Sequence, residues 1–177
     1  MDVFEAISRR HSYRGPFTER AVPRDDLRAI VDAALKAPSG KNAQTTTFVI
    51  VDDPTLIGRI GAMHERNRAM RLARAMIACV VDTHPEPVHE GHNFQVEDCA
   101  AAVENMLLAI TSLGYATVWI DGWLRANGRA NEIGRLLELP EGKVVRILLP
   151  IGVPAEKMLP KEKRPFGERA WFNRYGG

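Results

Sequence analysis

The stretch from Gln95 to Leu113 constrains the fold more than any other part of the chain. Its polar residues fall in pairs seven apart (Glu97/Asp98, Glu104/Asn105, Thr111/Ser112), leaving a narrow wet stripe on a helix that is otherwise apolar all round. Such a helix must be covered on most sides, and Gly114 ends it. Segments able to supply the cover are legible nearby. Apolar, β-branched runs at 46–51, 76–81, 115–120 and 144–153 read as strands. Residues 2–9, 24–36 and 128–138 read as helices. In the second of these Leu27, Ile30, Val31, Ala34 and Leu35 share a face, Asp25 and Asp26 suit the N-terminus, and Pro38 stops it. In the third the apolar face is Ile133, Leu136 and Leu137. Asp53-Pro54 opens a further helical stretch that runs, with a break, to Arg74. This order implies an α+β fold, an α/β sandwich.

The 177 residues fit one domain, 1–177, long enough to bury roughly 70% of the surface its unfolded form exposes. The 24 basic and 22 acidic residues are interspersed and leave a net charge of +2, too balanced for a chain whose task is gripping nucleic acid. Cys79 and Cys99 form no Cys-x-x-Cys, so no disulfide framework or cysteine zinc site is indicated. Met1-Asp2-Val3-Phe4-Glu5 carries acids where a secretory signal carries bases, and no run approaches the roughly 18–20 apolar residues of a membrane span. The expectation is a cytoplasmic protein with neither nucleic acid nor membrane as partner.

Chemistry gathers in two short segments. If Arg10-His11-Ser12-Tyr13-Arg14 runs extended, Arg10, Ser12 and Arg14 project to one side, aiming two cations and a hydroxyl at one spot. An arginine fork matches phosphate oxygens in charge-assisted hydrogen bonds. Pro38-Ser39-Gly40-Lys41-Asn42-Ala43-Gln44 adds a hydroxyl and amides, and together they point to a phosphorylated, ring-bearing ligand such as FMN. By themselves the first five residues also fit a solvated basic turn after an amphipathic helix.

Four of the chain's twelve aromatic residues, Phe166, Trp171, Phe172 and Tyr175, lie in its last twelve positions. A free tail has no use for them, so these rings are expected to dock, on the same subunit or across a homodimer. The longest polar irregular stretch, Thr83 to Asn93, is a candidate lid. Its His84, His89 and His92, with Glu86 and Glu90, also raise a metal-binding reading, although their spacing fits no compact zinc motif.

With these pieces placed, the chain resembles the nitroreductase family of FMN-dependent NAD(P)H oxidoreductases over essentially its whole length. Arg10-His11-Ser12-x-Arg14 is similar to the family's opening phosphate motif, and Pro38-Ser39-Gly40-x-Asn42-x-Gln44 to its Pro-Ser-Ser/Gly-x-Asn-x-Gln motif. Asn105 to Ala109 resembles its central helix, Trp119-Ile120-Asp121-Gly122 the strand end over the flavin, and Leu159-Pro160-Lys161-x-Lys163-Arg164-Pro165 its C-terminal basic motif. The resemblance implies a mainly antiparallel sheet flanked by helices, and a dimer with a C-terminal extension and FMN sites at its interface. It implies that Arg10, His11, Ser12 and Arg14 meet the FMN phosphate and ribityl chain, with Lys161 and Lys163 approaching the same phosphate. Pro38, Ser39 and Asn42 would reach the flavin from the other subunit, and the backbone at Asp121 and Gly122 would face N5.

The implied activity is ping-pong hydride transfer from NADH or NADPH through N5 to a planar, electron-poor acceptor, a nitroaromatic or quinone, with no protein acid or base required. Rival readings keep the fold but remove halogens reductively or degrade flavin with oxygen, or bind FMN or a metal without turnover. Two departures stand out: Thr45-Thr46 follows Gln44 where many members have Pro-Trp, and no one of Arg66, Arg68, Arg71 and Arg74 aligns securely with the basic residue that serves the flavin pyrimidine.

Overall fold

The structure is a computed structural model and describes residues 1–176. Four antiparallel strands, β1 (Thr47–Val51), β2 (Ala75–Asp82), β3 (Ala116–Thr117) and β4 (Lys143–Gly152), lie in the order β1-β2-β4-β3. Helices α1 (Val3–Arg9), α2 (Arg24–Leu35), α3 (Pro54–Ala62), α4 (Arg68–Arg71), α5 (Gln95–Ser112) and α6 (Arg129–Leu136) flank them, with short 3-10 turns at Gly40–Asn42 and Phe166–Glu168.

The period-2 alternation of a strand sends β2 side chains to two different cores. Ala75, Ile77, Cys79 and Val81 pack with α2 and α5, while Met76 and Ala78 pack with Tyr13, Phe17, α3, α4 and α6. The central strand is thus buried on both faces, and each fully buried Ile or Leu contributes about 1.5–3 kcal/mol. Both cysteines are free and buried in the first of these cores. On α2 the expected apolar face is buried at Leu27, Ile30 and Ala34, half-buried at Val31 and exposed at its end, Leu35.

Two irregularities in the sheet bear on the site. Cys79 pairs with Ile147 and Val80 with Val145, so Arg146 is the extra residue of a β-bulge. The third strand, expected over 115–120, is continuous only at Ala116–Thr117, resuming with the Ile120–Leu148 bridge. Leu148 exchanges both backbone bonds with Ile120, and two residues on, Pro150 faces the same edge without an N–H to give.

The wet stripe on α5 is only partly wet. Asp98 is buried and accepts from the Gly40 amide at 2.9 Å, and Asn105 donates to the Ala33 carbonyl at 3.0 Å. Polar residues there join α5 to its neighbours, while Glu104 stays exposed near Arg10. Among the described residues, the C-terminal rings belong to neither core. Phe166 packs with Phe172 and Trp171 with Tyr175, yet Phe172 and Tyr175 remain 81% and 90% exposed.

Candidate functional site

Residues 10–14 leave α1 extended and lie against the strand that comes after α5. Ser12 bridges Thr117, and the Tyr13 amide donates to the Thr117 carbonyl at 2.8 Å. Alternation then buries Tyr13 and turns Ser12 and Arg14 outward, but the three side chains expected at one spot are divided: Arg10 lines one cleft, Arg14 another and Ser12 neither. Two clefts open along this pairing.

The first, ≈ 370 Å³, is lined by Arg10, His11, Tyr115, Thr117, Lys157 and Pro160 among others. Arg10, three-quarters covered, lies 3.6 Å from Glu104. His11 Nδ1 donates to the Arg9 carbonyl at 2.9 Å, which in the neutral ring puts the lone pair on Nε2. That Nε2 and Thr117 Oγ1 are buried and have no protein partner among the described residues. Orphaned polar atoms of this kind cost free energy unless something else satisfies them, so they mark where a ligand hydroxyl or water belongs.

The second cleft, ≈ 330 Å³, gathers Arg14, Arg66, Trp119, Asp121, Gly122 and Trp123, with His64 and Asn67. Trp123 is held between the His64 ring, stacked at 4.6 Å, and the Arg129 guanidinium, 4.8 Å from its centroid. Burial, then the Arg129 charge, keeps His64 below its ordinary value. Among the described residues, the Asp121 and Gly122 amides donate to no protein acceptor, and neither Arg14 nor Arg66 has a carboxylate partner. Burial alone would raise the Asp121 carboxyl. Hydrogen bonds from Arg125 and Arg146 outweigh it and hold the group below the usual carboxylate range.

The arginine that the sequence leaves open is narrowed by position. Arg68 pairs with Glu156, Arg74 is committed to Thr18 and Glu19, and Arg71 lines neither cleft, while Arg66 lines the second. Lys157 in the first cleft is a residue the sequence does not flag. It arrives there because the chain turns back at Pro154, beside Phe17. Lys161 and Lys163 are exposed beyond Pro160 and line neither cleft within one chain.

Pro38, Ser39 and Asn42 also lie apart from both clefts within one chain. Their loop holds Lys41, Asn42 and Gln44 at φ of 52°, 57° and 50°, a left-handed conformation costing about 1–2 kcal/mol for each non-glycine residue. Ser39 Oγ, accepting from the Gln44 amide at 3.1 Å, and Asp98 hold it there. Backbone strain clustered in this way belongs to functional loops. In the 83–93 segment, His89 and His92 close a tight turn on each other. Among the described residues no three His, Cys, Asp or Glu side chains converge as metal ligands would. No described helix is long and apolar enough to cross a membrane.

A family profile described as Nitroreductase family matches residues 7–64 and 62–153 of the chain. The chain belongs to the nitroreductase family. A nitroreductase relative from Methanothermobacter thermautotrophicus, named provisionally an NADH dehydrogenase/NAD(P)H nitroreductase, is 33% identical over 156 residues, 88% of this chain and 79% of that protein. The FMN reductase [NAD(P)H] of Bacillus subtilis is 25% identical over 179 residues, covering 93% of this chain and 70% of the other. A solved structure from Bacteroides thetaiotaomicron, again provisionally named an NADH dehydrogenase/NAD(P)H nitroreductase, superimposes with a TM-score of 0.83 at 26% identity, over 98% of each chain. The mainly antiparallel sheet with flanking helices is therefore the nitroreductase fold.

Proposed function

We propose that this nitroreductase is an FMN-dependent oxidoreductase that takes hydride from NADH or NADPH and passes it, in two half-reactions, to a small planar electron-poor acceptor such as a nitroaromatic or quinone. One observation carries the reading. The orphaned His11 Nε2 and Thr117 Oγ1 sit in a cationic cleft, and from four residues beyond Thr117 the unpartnered amides of Asp121 and Gly122 belong to the cleft lined by Arg14 and Arg66. That donor set fits a phosphorylated ribityl chain joined to a flat heterocycle.

When bound, FMN would supply hydride acceptance and donation at N5. The protein's part is placement and charge. Arg10, Ser12 and Lys157 offer cations and a hydroxyl to a phosphate, and His11 Nε2 can accept from a ribityl hydroxyl. Arg14 and Arg66 place positive charge at one edge of the second cleft, where it favours negative charge developing on a ring. The Asp121 and Gly122 amides fix a heteroatom's position. The nicotinamide cofactor has no Gly-x-Gly-x-x-Gly grip in this sequence, so it would stack on the exposed ring and leave before the acceptor enters.

The active unit we propose is a cytoplasmic homodimer. Its partner subunit would bring the strained 38–44 loop to the ring, and the C-terminal segment would carry Lys161 and Lys163 toward a phosphate. The exposed rings of the tail and Phe4 on α1, 80% exposed, support it. The test is anaerobic: NADH or NADPH added to the FMN-loaded protein should bleach the flavin bands, and an acceptor should restore them. Bands that survive both nucleotides would mark a flavin carrier and end the reductase reading.

A further inference from the structure

Asp121 receives two arginines on one carboxylate. Arg125, four residues along the turn, donates from Nε at 2.7 Å and Nη2 at 2.9 Å but is itself 61% exposed. Arg146 donates from Nη1 and is 18% exposed, so it is the sheltered partner. It reaches Asp121 because it is the extra residue of the β4 bulge, with Val145 and Ile147 on either side packing into opposite cores. A bulge at such a point re-aims one side chain without breaking the strand.

The backbone around Asp121 is fastened at three points. Ile120 exchanges bonds with Leu148, the Leu124 amide donates to the Asp121 carbonyl at 2.8 Å, and the Asp121 carboxylate is held by the two arginines. What is left free is the pair of amides at Asp121 and Gly122, in the cleft with Arg14 and Arg66. We propose that Arg146 is a positioning residue: from its bulge it acts through Asp121 to fix the direction of those two amides, and so sets how the bound ring is held and how readily it is reduced. The second half of this proposal rests on the FMN reading; the first does not.

The test uses the full chain with Arg146→Met, Arg146→Lys and Asp121→Asn. Without cofactor, the Leu124 amide, which reports opening of the turn, should exchange with solvent at least tenfold faster in all three variants, while the Ile77 amide in the central strand keeps its rate. With FMN bound, the preference between oxidised and reduced ring should change about tenfold, about 30 mV for a two-electron couple. Lysine keeps the charge but ends one atom short of the Nη1 with which Arg146 meets Asp121. A Lys variant matching the native protein in both readouts would reduce Arg146 to a distant charge and overturn the positioning role, as would an unchanged Leu124 rate in Arg146→Met. If the native chain holds no FMN, the FMN reading falls, and Leu124 exchange still decides whether Arg146 fixes the turn. Should the Met variant not fold, the Lys variant and Asp121→Asn carry the same comparison.

Discussion

Asp98 of α5 accepts a hydrogen bond from the Gly40 amide at 2.9 Å, tying the strained loop to the central helix across 58 positions of sequence. The loop's three left-handed residues need such an anchor to stay populated. Asp98→Ala should cost about 1–3 kcal/mol by leaving the Gly40 amide unsatisfied. Thermal unfolding checks it, at about 2–4 °C per kcal/mol for a chain of this size. Asp98→Asn, which keeps an acceptor, should lose less.

Gly40 also lies close against Phe94. A Cβ there would lie 2.4 Å from the ring Cδ2 and 2.9 Å from Cγ. Gly40→Ala should therefore cost about 1–3 kcal/mol through overpacking. Because it disturbs the same anchor, the double variant with Asp98→Ala should lose less than the sum of the two, read from denaturant midpoints.

Tyr115, at the rim of the first cleft, donates to Asp26 at 2.5 Å. Burial, then that hydrogen bond and the Asp26 charge, push its hydroxyl up to about 12. The folded value lies above the unfolded value of about 10, so the contribution is complete below pH 10 and is lost as pH rises toward 12. Tyr115→Phe should cost about 1–2 kcal/mol at neutral pH, a deficit that shrinks above about pH 10. Ultraviolet tyrosinate titration and stability curves check the two halves.

Asp121 gives the opposite sign. Its carboxyl is held low by Arg125 and Arg146 against the burial that would raise it, so its contribution is complete above the ordinary carboxylate value and fades as pH falls through the folded one. The stability deficit of Asp121→Asn should be constant above about pH 5 and shrink below about pH 4.

The C-terminal rings predict assembly. Phe166, Phe172 and Tyr175 are 65%, 81% and 90% exposed in one chain, an apolar surface that a second copy would cover. Sedimentation should show a dimer for the full chain. Truncation after Pro160 should leave a folded monomer whose FMN affinity is at least tenfold weaker, and an unchanged dimer would place the interface elsewhere.

Much of the fold is legible in the sequence because periodicity and breakers are local. The α5 pattern, the Pro38 stop and the β-branched runs other than 115–120 all produce elements within a residue or two of expectation. What stays hidden is nonlocal. Arg146 reads as an ordinary polar residue in a strand until the bulge aims it at Asp121, and Asp98 reads as solvated until Gly40 is folded onto it. The missing middle of β3 stems from Pro150 in a different strand. Arg66 separates from Arg68, Arg71 and Arg74 only once the fold places it, and none of them, in the second cleft. Lys157 carries no motif at all, and only the return of the chain past Phe17 brings it to Arg10 and His11.

The most direct test of the central claim is the visible absorption spectrum of the purified protein after incubation with FMN and desalting. Flavin bands should remain at about one per chain, and Arg10→Ala and Arg14→Ala should each lose most of them. A protein that comes off the column colourless would contradict the FMN assignment, because the cations, orphaned polar atoms and free amides of the two clefts would then serve some other ligand.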